Sequence, residues 1–83
     1  SMLRALQDLG RVVALEGGLF LQAQKVEQVR DQLRLELEEK GQIKVAEFRD
    51  LIGSNRRYAL ALLSLFDNEG LTQRSGDVRT LKK

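Results

Sequence analysis

Gly53-Ser54-Asn55-Arg56-Arg57-Tyr58 sets a glycine, two capping-type residues and two adjacent arginines directly ahead of a leucine-rich stretch that runs to Asp67-Asn68-Glu69-Gly70. Ser54 or Asn55 suits the position before a helix, where a side-chain oxygen accepts from the first free N–H groups. Those N–H groups already carry partial positive charge, so arginines placed beside them work against the helix dipole. Backbone donors, dipole and guanidinium forks together match a phosphate. Behind this stretch, Leu71-Thr72-Gln73-Arg74-Ser75-Gly76-Asp77-Val78-Arg79-Thr80-Leu81 brings two more arginines to either side of a Ser-Gly-Asp turn. The pairing of a basic helix start with a basic hairpin points to a nucleic-acid-binding helix-turn-helix with a wing.

The rest of the composition narrows the chemistry. The chain has 83 residues with no cysteine, histidine or proline. That removes disulfides, thiol nucleophiles and the preferred ligands of zinc, and leaves general acid/base work to carboxylates, Lys or Tyr. No catalytic signature is present, so the expectation for this chain alone is that it is not an enzyme and holds no cofactor or metal. No apolar run approaches the roughly 20 residues that span a bilayer, and the N-terminus lacks a signal-peptide layout, so a non-membrane, cytoplasmic protein is expected. Ser1-Met2 has the form of a cleavage remnant, which suggests an excerpt from something longer. Net charge is only +2, but residues 1–39 carry −2 and residues 40–83 carry +4. The positive field belongs to the C-terminal half, where the arginines stand.

The elements that must position these residues can be read from periodicity. Leu3, Leu6 and Leu9 recur at helical spacing and Gly10 follows, which predicts a helix end. Val12-Val13-Ala14-Leu15 and Leu19-Phe20-Leu21 flank Glu16-Gly17-Gly18 and predict a β-hairpin. A helix end and hairpin together read as residues 1–21, the tail of a preceding winged-helix module. Residues 22–83 then form a complete domain. Its first helix runs over residues 23–40 with Val26, Val29, Leu33 and Leu37 on one stripe and Gly41 as the stop; Glu27, Arg30 and Arg34 fall on its outer face as solvated surface. Gln42-Ile43-Lys44 is a short extended link. Val45, Phe48, Leu51 and Ile52 predict a two-turn helix ended by Gly53, and Tyr58, Ala59, Leu62, Leu63 and Phe66 predict a third helix through about residue 68, stopped by Gly70. Strands over residues 71–74 and 78–81 complete the order helix, strand, helix, turn, helix, hairpin. The fold class is mainly α, a winged helix.

In this arrangement Ser54, Asn55, Arg56 and Arg57 are presented together at the start of the third helix. Tyr58 begins the buried stripe, and only its hydroxyl reaches outward. Arg74 and Arg79 face each other across a hairpin containing Asp77, where a salt-bridged wing competes with ligand binding as their role. Arg49 lies beside Asp50 and Glu47, and Lys44 stands where a capping Ser, Thr or Asp is preferred. Aromatic residues are few, and most sit on apolar stripes, so stacking of several single-stranded bases is not expected. Recognition by shape and phosphate, with one or two bases read in a loop, fits better.

At these residues the chain resembles the C-terminal winged-helix region of the bacterial selenocysteine-specific translation elongation factor. Val45-Ala46-Glu47-Phe48-Arg49-Asp50-Leu51-Ile52-Gly53 resembles that family's short helix, Ser54-Asn55-Arg56-Arg57-Tyr58-Ala59 its recognition-helix start, and Phe66-Asp67 with Thr72 to Arg79 its wing. The similarity covers residues 43–81. It implies a string of winged-helix modules whose last member grips an mRNA hairpin marking a UGA codon for selenocysteine. It also implies upstream domains, absent here, that bind GTP and selenocysteyl-tRNA and work on the ribosome, in a monomeric factor. The RNA contacts it implies are Ser54, Asn55, Arg56, Arg57 and Tyr58, with Arg74, Gly76 and Arg79 in the wing, extending to Lys44 and Arg49. Asn55 departs from the family's usual second Ser, Arg57 from Lys, and Lys44 from Thr or Ser. The rivals are a DNA-binding winged-helix transcription regulator, for which no dimerisation helix is visible, and a winged-helix protein-interaction module, for which no apolar surplus is visible in the C-terminal half.

Overall fold

The computed structural model describes residues 11–82. The helix end expected from Leu3, Leu6, Leu9 and Gly10 lies outside the described residues. Strands β1 (Val12–Leu15) and β2 (Leu19–Gln22) form the first hairpin around a 3-10 turn, Glu16–Gly18. Then come α1 (Ala23–Lys40), β3 (Ile43–Lys44), α2 (Val45–Ile52), α3 (Arg56–Glu69), β4 (Thr72–Ser75) and β5 (Val78–Leu81). Both long helices end where the glycines stand. Gly41 and Gly70 each adopt φ 86°, and each donates its N–H back to the last turn. Gly53, at φ 62°, closes α2 and turns the chain directly into α3. An L side chain is strained in that left-handed region.

The apolar stripes meet in one core. Val26, Val29, Leu33 and Leu37 of α1 pack with Phe48 of α2 and with Ala59, Ala61, Leu62, Leu63 and Phe66 of α3, and Ile43 of β3 closes the lower edge. Leu15 and Leu19 from the first hairpin enter the same cluster. Their strand register, Leu15 opposite Leu19 and Val13 opposite Leu21, turns those four residues toward the helices. The alternation that buries them leaves Val12 and Phe20 on the outer face, both exposed. Thus residues 11–21, which the sequence pattern assigns to the end of a preceding module, share the core of the winged helix.

The wing sheet has three strands in the order β3-β5-β4. The sequence pattern predicts a short extended segment at residues 42–44 and names no pairing partner for it. In the structure Ile43 and Lys44 pair antiparallel with Arg79 and Val78, so the segment that leads into α2 is hydrogen-bonded to the wing. Strand β4 starts one residue later than its pattern suggests, because Thr72 and not Leu71 pairs with Leu81.

One surface assignment is corrected. Arg30 is not merely a solvated charge: its Nε and Nη2 donate to both carboxylate oxygens of Glu69 at 3.0 and 2.7 Å, and its guanidinium lies 5.7 Å from the centroid of Phe66. It ties α1 to the end of α3. Arg34 does stay local, paired with Asp31 one turn away.

Leu33 is fully buried between these helices. Leu33→Ala is expected to lower the unfolding free energy by about 2–5 kcal/mol, through the forfeited transfer energy and the cavity left behind. Urea denaturation followed by circular dichroism measures it. For a domain of this size that removes much of the total stability.

Candidate nucleic-acid interface

The start of α3 is where burial ends. No side chain of α3 before Ala59 is buried, and Ser54, Asn55, Arg56 and Arg57 are all exposed. Asn55 is the cap. Its Oδ1 accepts from the Tyr58 N–H at 3.0 Å, so one of the free helix donors is satisfied within the chain and the Asn55 amide N–H2 remains outward. Ser54 donates its backbone N–H to the Arg49 carbonyl, which leaves its hydroxyl free. Tyr58 is half-buried against the core, as its place on the stripe requires.

Arg56 and Arg57 differ in a way the sequence does not show. Arg56 has no hydrogen-bond or ion-pair partner among the described residues. Arg57 donates from Nη2 to the Gly17 carbonyl at 3.0 Å, reaching 40 positions back to the turn of the first hairpin. One donor of its fork is used inside the chain and the rest of the guanidinium is exposed.

The wing arginines also separate. Arg74 and Arg79 are direct cross-strand partners, as expected. Of the two roles left open for them, a salt bridge forms at Arg79 alone among the described residues, and with Asp67 in place of Asp77. Arg74 is exposed and donates from Nε to the Gly76 carbonyl at 2.9 Å, which folds it over the wing turn. Gly76 has φ 65°, the conformation that turn needs. Arg79 is buried, with 9% of its surface exposed, and its Nε donates to Asp67 at 3.0 Å. A group so covered is placed as part of the wing's attachment to α3, and not on the open surface with Arg74.

Lys44 and Arg49 flank this region. Lys44 is exposed beside Val78 at the wing turn end of β5, and its N–H is capped by Glu47 Oε1 at 2.9 Å. A lysine ammonium accepts no hydrogen bond, so Lys44 offers no side-chain cap to the first N–H groups of α2, and Glu47 satisfies only the N–H of Lys44 itself. Arg49 makes an exposed pair with Asp50 at 3.3 Å, weak because both groups are in water. Helix α2, about 12 Å long at the usual rise per residue, separates Lys44 at its start from Ser54 after its end. Lys44 thus stands with Val78 beside the wing turn, and the exposed residues Ser54 to Arg57 follow the far end of α2.

A slot of about 40 Å3 opens between the first hairpin, α1, the end of α2 and the start of α3, lined by Leu21, Lys25, Val29, Ile52, Ser54, Tyr58 and Leu62. Its floor is apolar. Lys25, from the first turns of α1, joins Ser54 and Tyr58 around it. No local signal marks Lys25 in the sequence, since it is one charge on a helix with many. Among the described residues no group of acidic or histidine side chains could hold a metal, and no helix is long and apolar enough to cross a membrane.

The model of the family described as elongation factor SelB, winged helix, matches residues 36–81, more than half of the chain. The chain belongs to that family. A solved structure of the mRNA-binding domain of elongation factor SelB from E. coli, in complex with SECIS RNA, superposes with a TM-score of 0.77 at 27% identity, covering 98% of this chain and 67% of that one. No curated protein sequence matches the chain. Within this SelB winged-helix domain the matched residues include Lys44, Ser54 to Arg57 and the wing. The first hairpin and Lys25 lie outside the family match, and only the structural likeness extends over them.

The tie between Arg57 and Gly17 generates a prediction. Arg57→Ala is expected to speed amide exchange in residues 12–22 while shifting global stability by only about 1 kcal/mol, as for one exposed hydrogen bond. Hydrogen exchange by NMR reads both. Unchanged exchange in the hairpin would show that the bond does not hold it.

Proposed function

We propose that this chain is an RNA-hairpin-binding module of the selenocysteine-insertion type, gripping the phosphates of a hairpin between the α3 start and the wing while an unpaired loop base enters the gap. The observation that carries this reading is Arg56: an exposed arginine on the positive end of a helix dipole, with no anion of the protein beside it among the described residues. Arg57, Ser54, Asn55 and the Tyr58 hydroxyl extend the contact on the helix side. Arg74 and the Gly76 backbone extend it on the wing side, with Lys44 and Arg49 at the margin. Arg79 acts from behind the wing. Loops are where sequence can be read in RNA, because the A-form major groove is too narrow for side chains.

The chain itself catalyses nothing in this reading. It serves as the mRNA anchor of a translation factor in the cytoplasm, whose GTP-binding and tRNA-binding parts belong to other segments. That assignment draws on the SelB family and on the RNA held by the E. coli domain, to which the chain is similar over nearly its whole length.

Fluorescence-anisotropy titration against a selenocysteine-insertion hairpin, a loop-scrambled hairpin and duplex DNA, each at several salt concentrations, tests the reading. Tight binding to the first alone is expected. Arg56→Ala should weaken it by about tenfold or more, the worth of a charge-assisted hydrogen bond, and reduce the salt slope by roughly 0.7 to 0.9 for each phosphate that Arg56 neutralises. Preference for duplex DNA would favour a DNA regulator. No binding to any of the three would favour a protein-interaction module.

A further inference from the structure

The last turn of α3 carries Asp67 and Glu69 and no basic residue. Carboxylates there oppose the helix dipole unless cations reach them from elsewhere. Glu69 has Arg30 of α1. Asp67 is served from the wing, by both strands of its hairpin. Thr72 of β4, 1% exposed, donates from Oγ1 to Asp67 Oδ1 at 2.6 Å. Arg79 of β5 donates from Nε to Oδ2 at 3.0 Å and to Oδ1 at 3.3 Å. One carboxylate therefore joins both strands to the helix.

The cross-strand register gives this a second consequence. Arg74 sits directly opposite Arg79, and paired residues in an antiparallel ladder project to the same face. Two guanidinium groups so placed repel. Asp67 cancels the charge of Arg79, so Arg74 alone remains to project its charge from the wing.

We propose that Asp67 is a positioning residue for RNA binding: it locks the wing to the end of α3 through Thr72 and Arg79, and so sets where Arg74 and the wing turn stand relative to Arg56. The proposal rests on the RNA-hairpin reading for its binding readout. Arg79 then acts through Asp67 as a strut, in place of the RNA contact that the family resemblance implies for it.

Asp67→Asn tests this, because the amide keeps the shape and an acceptor for Thr72 but removes the charge. Hairpin affinity should fall by about tenfold, equivalent to one charge-assisted hydrogen bond, with the salt slope unchanged because every phosphate keeps its partner. Amides of residues 73–80 should exchange faster in the RNA-free protein. If Arg79 were instead a phosphate ligand restrained by Asp67, the same substitution would leave affinity equal or higher and steepen the salt slope, and the proposal would be overturned. Thr72→Val and Thr72→Ser provide a second pair, should Asp67→Asn not fold. The serine should keep affinity and wing protection, and the valine should forfeit part of both; equal behaviour of the two would also overturn it. Failure of the unsubstituted chain to bind any hairpin sinks the RNA reading alone. The wing amides still decide the role of Asp67 in that case, since equal exchange with and without its charge would remove it.

Discussion

Helix α3 carries its charges in the reverse of the order its dipole favours, with Arg56 and Arg57 at the positive end and Asp67 and Glu69 at the negative end. The two ends are resolved differently. At the C-terminal end the chain supplies the counter-charges itself, Arg30 from α1 and Arg79 from β5. At the N-terminal end the described residues supply a carbonyl for Arg57 and no charge for Arg56. The fold is thus closed electrostatically at one end of its central helix and open to an anion at the other.

That asymmetry is possible because burial holds the helix independently of its charges. Ala59, Leu62, Leu63 and Phe66 repeat at intervals of three and four and seat α3 on α1 and α2. Removing four such side chains from water is worth several kcal/mol at about 1.5–3 kcal/mol each for the larger ones, against tenths to about 1 kcal/mol for an unfavourable charge at a helix end. Packing wins by a wide margin. The start of α3 can therefore stay electrostatically uncomfortable without unwinding.

The same packing explains why the first hairpin belongs to the site. Leu15 and Leu19 add to the core beside α3, and this brings the Gly17 carbonyl within reach of Arg57 and Leu21 within reach of Tyr58. The wing is attached by a different means. Thr72 and Arg79 are the buried polar residues of the described chain, and both are satisfied by Asp67. No buried side-chain donor or acceptor among the described residues lacks a partner, as a stable interior requires.

Much of this is legible along the chain. The 3.6-residue recurrence of Val26, Val29, Leu33 and Leu37, the two-residue alternation of the hairpins, and glycines at 41, 53 and 70 mark the helices and their stops to within a residue or so, because those signals are local. The exposed set at residues 54–57 is legible for the same reason: a stripe that starts at Tyr58 leaves what precedes it outside. Which partner each arginine takes is decided only by the tertiary structure. Arg30 meets Glu69 across 39 positions, Arg57 meets Gly17 across 40, and Arg79 meets Asp67 rather than the nearby Asp77. Lys25 likewise reaches the slot behind Ser54 only because α1 crosses there. Periodicity fixes which face a residue occupies, but the angle and offset at which two faces meet are set by the packing of all the elements together, and polar partners are chosen only after that.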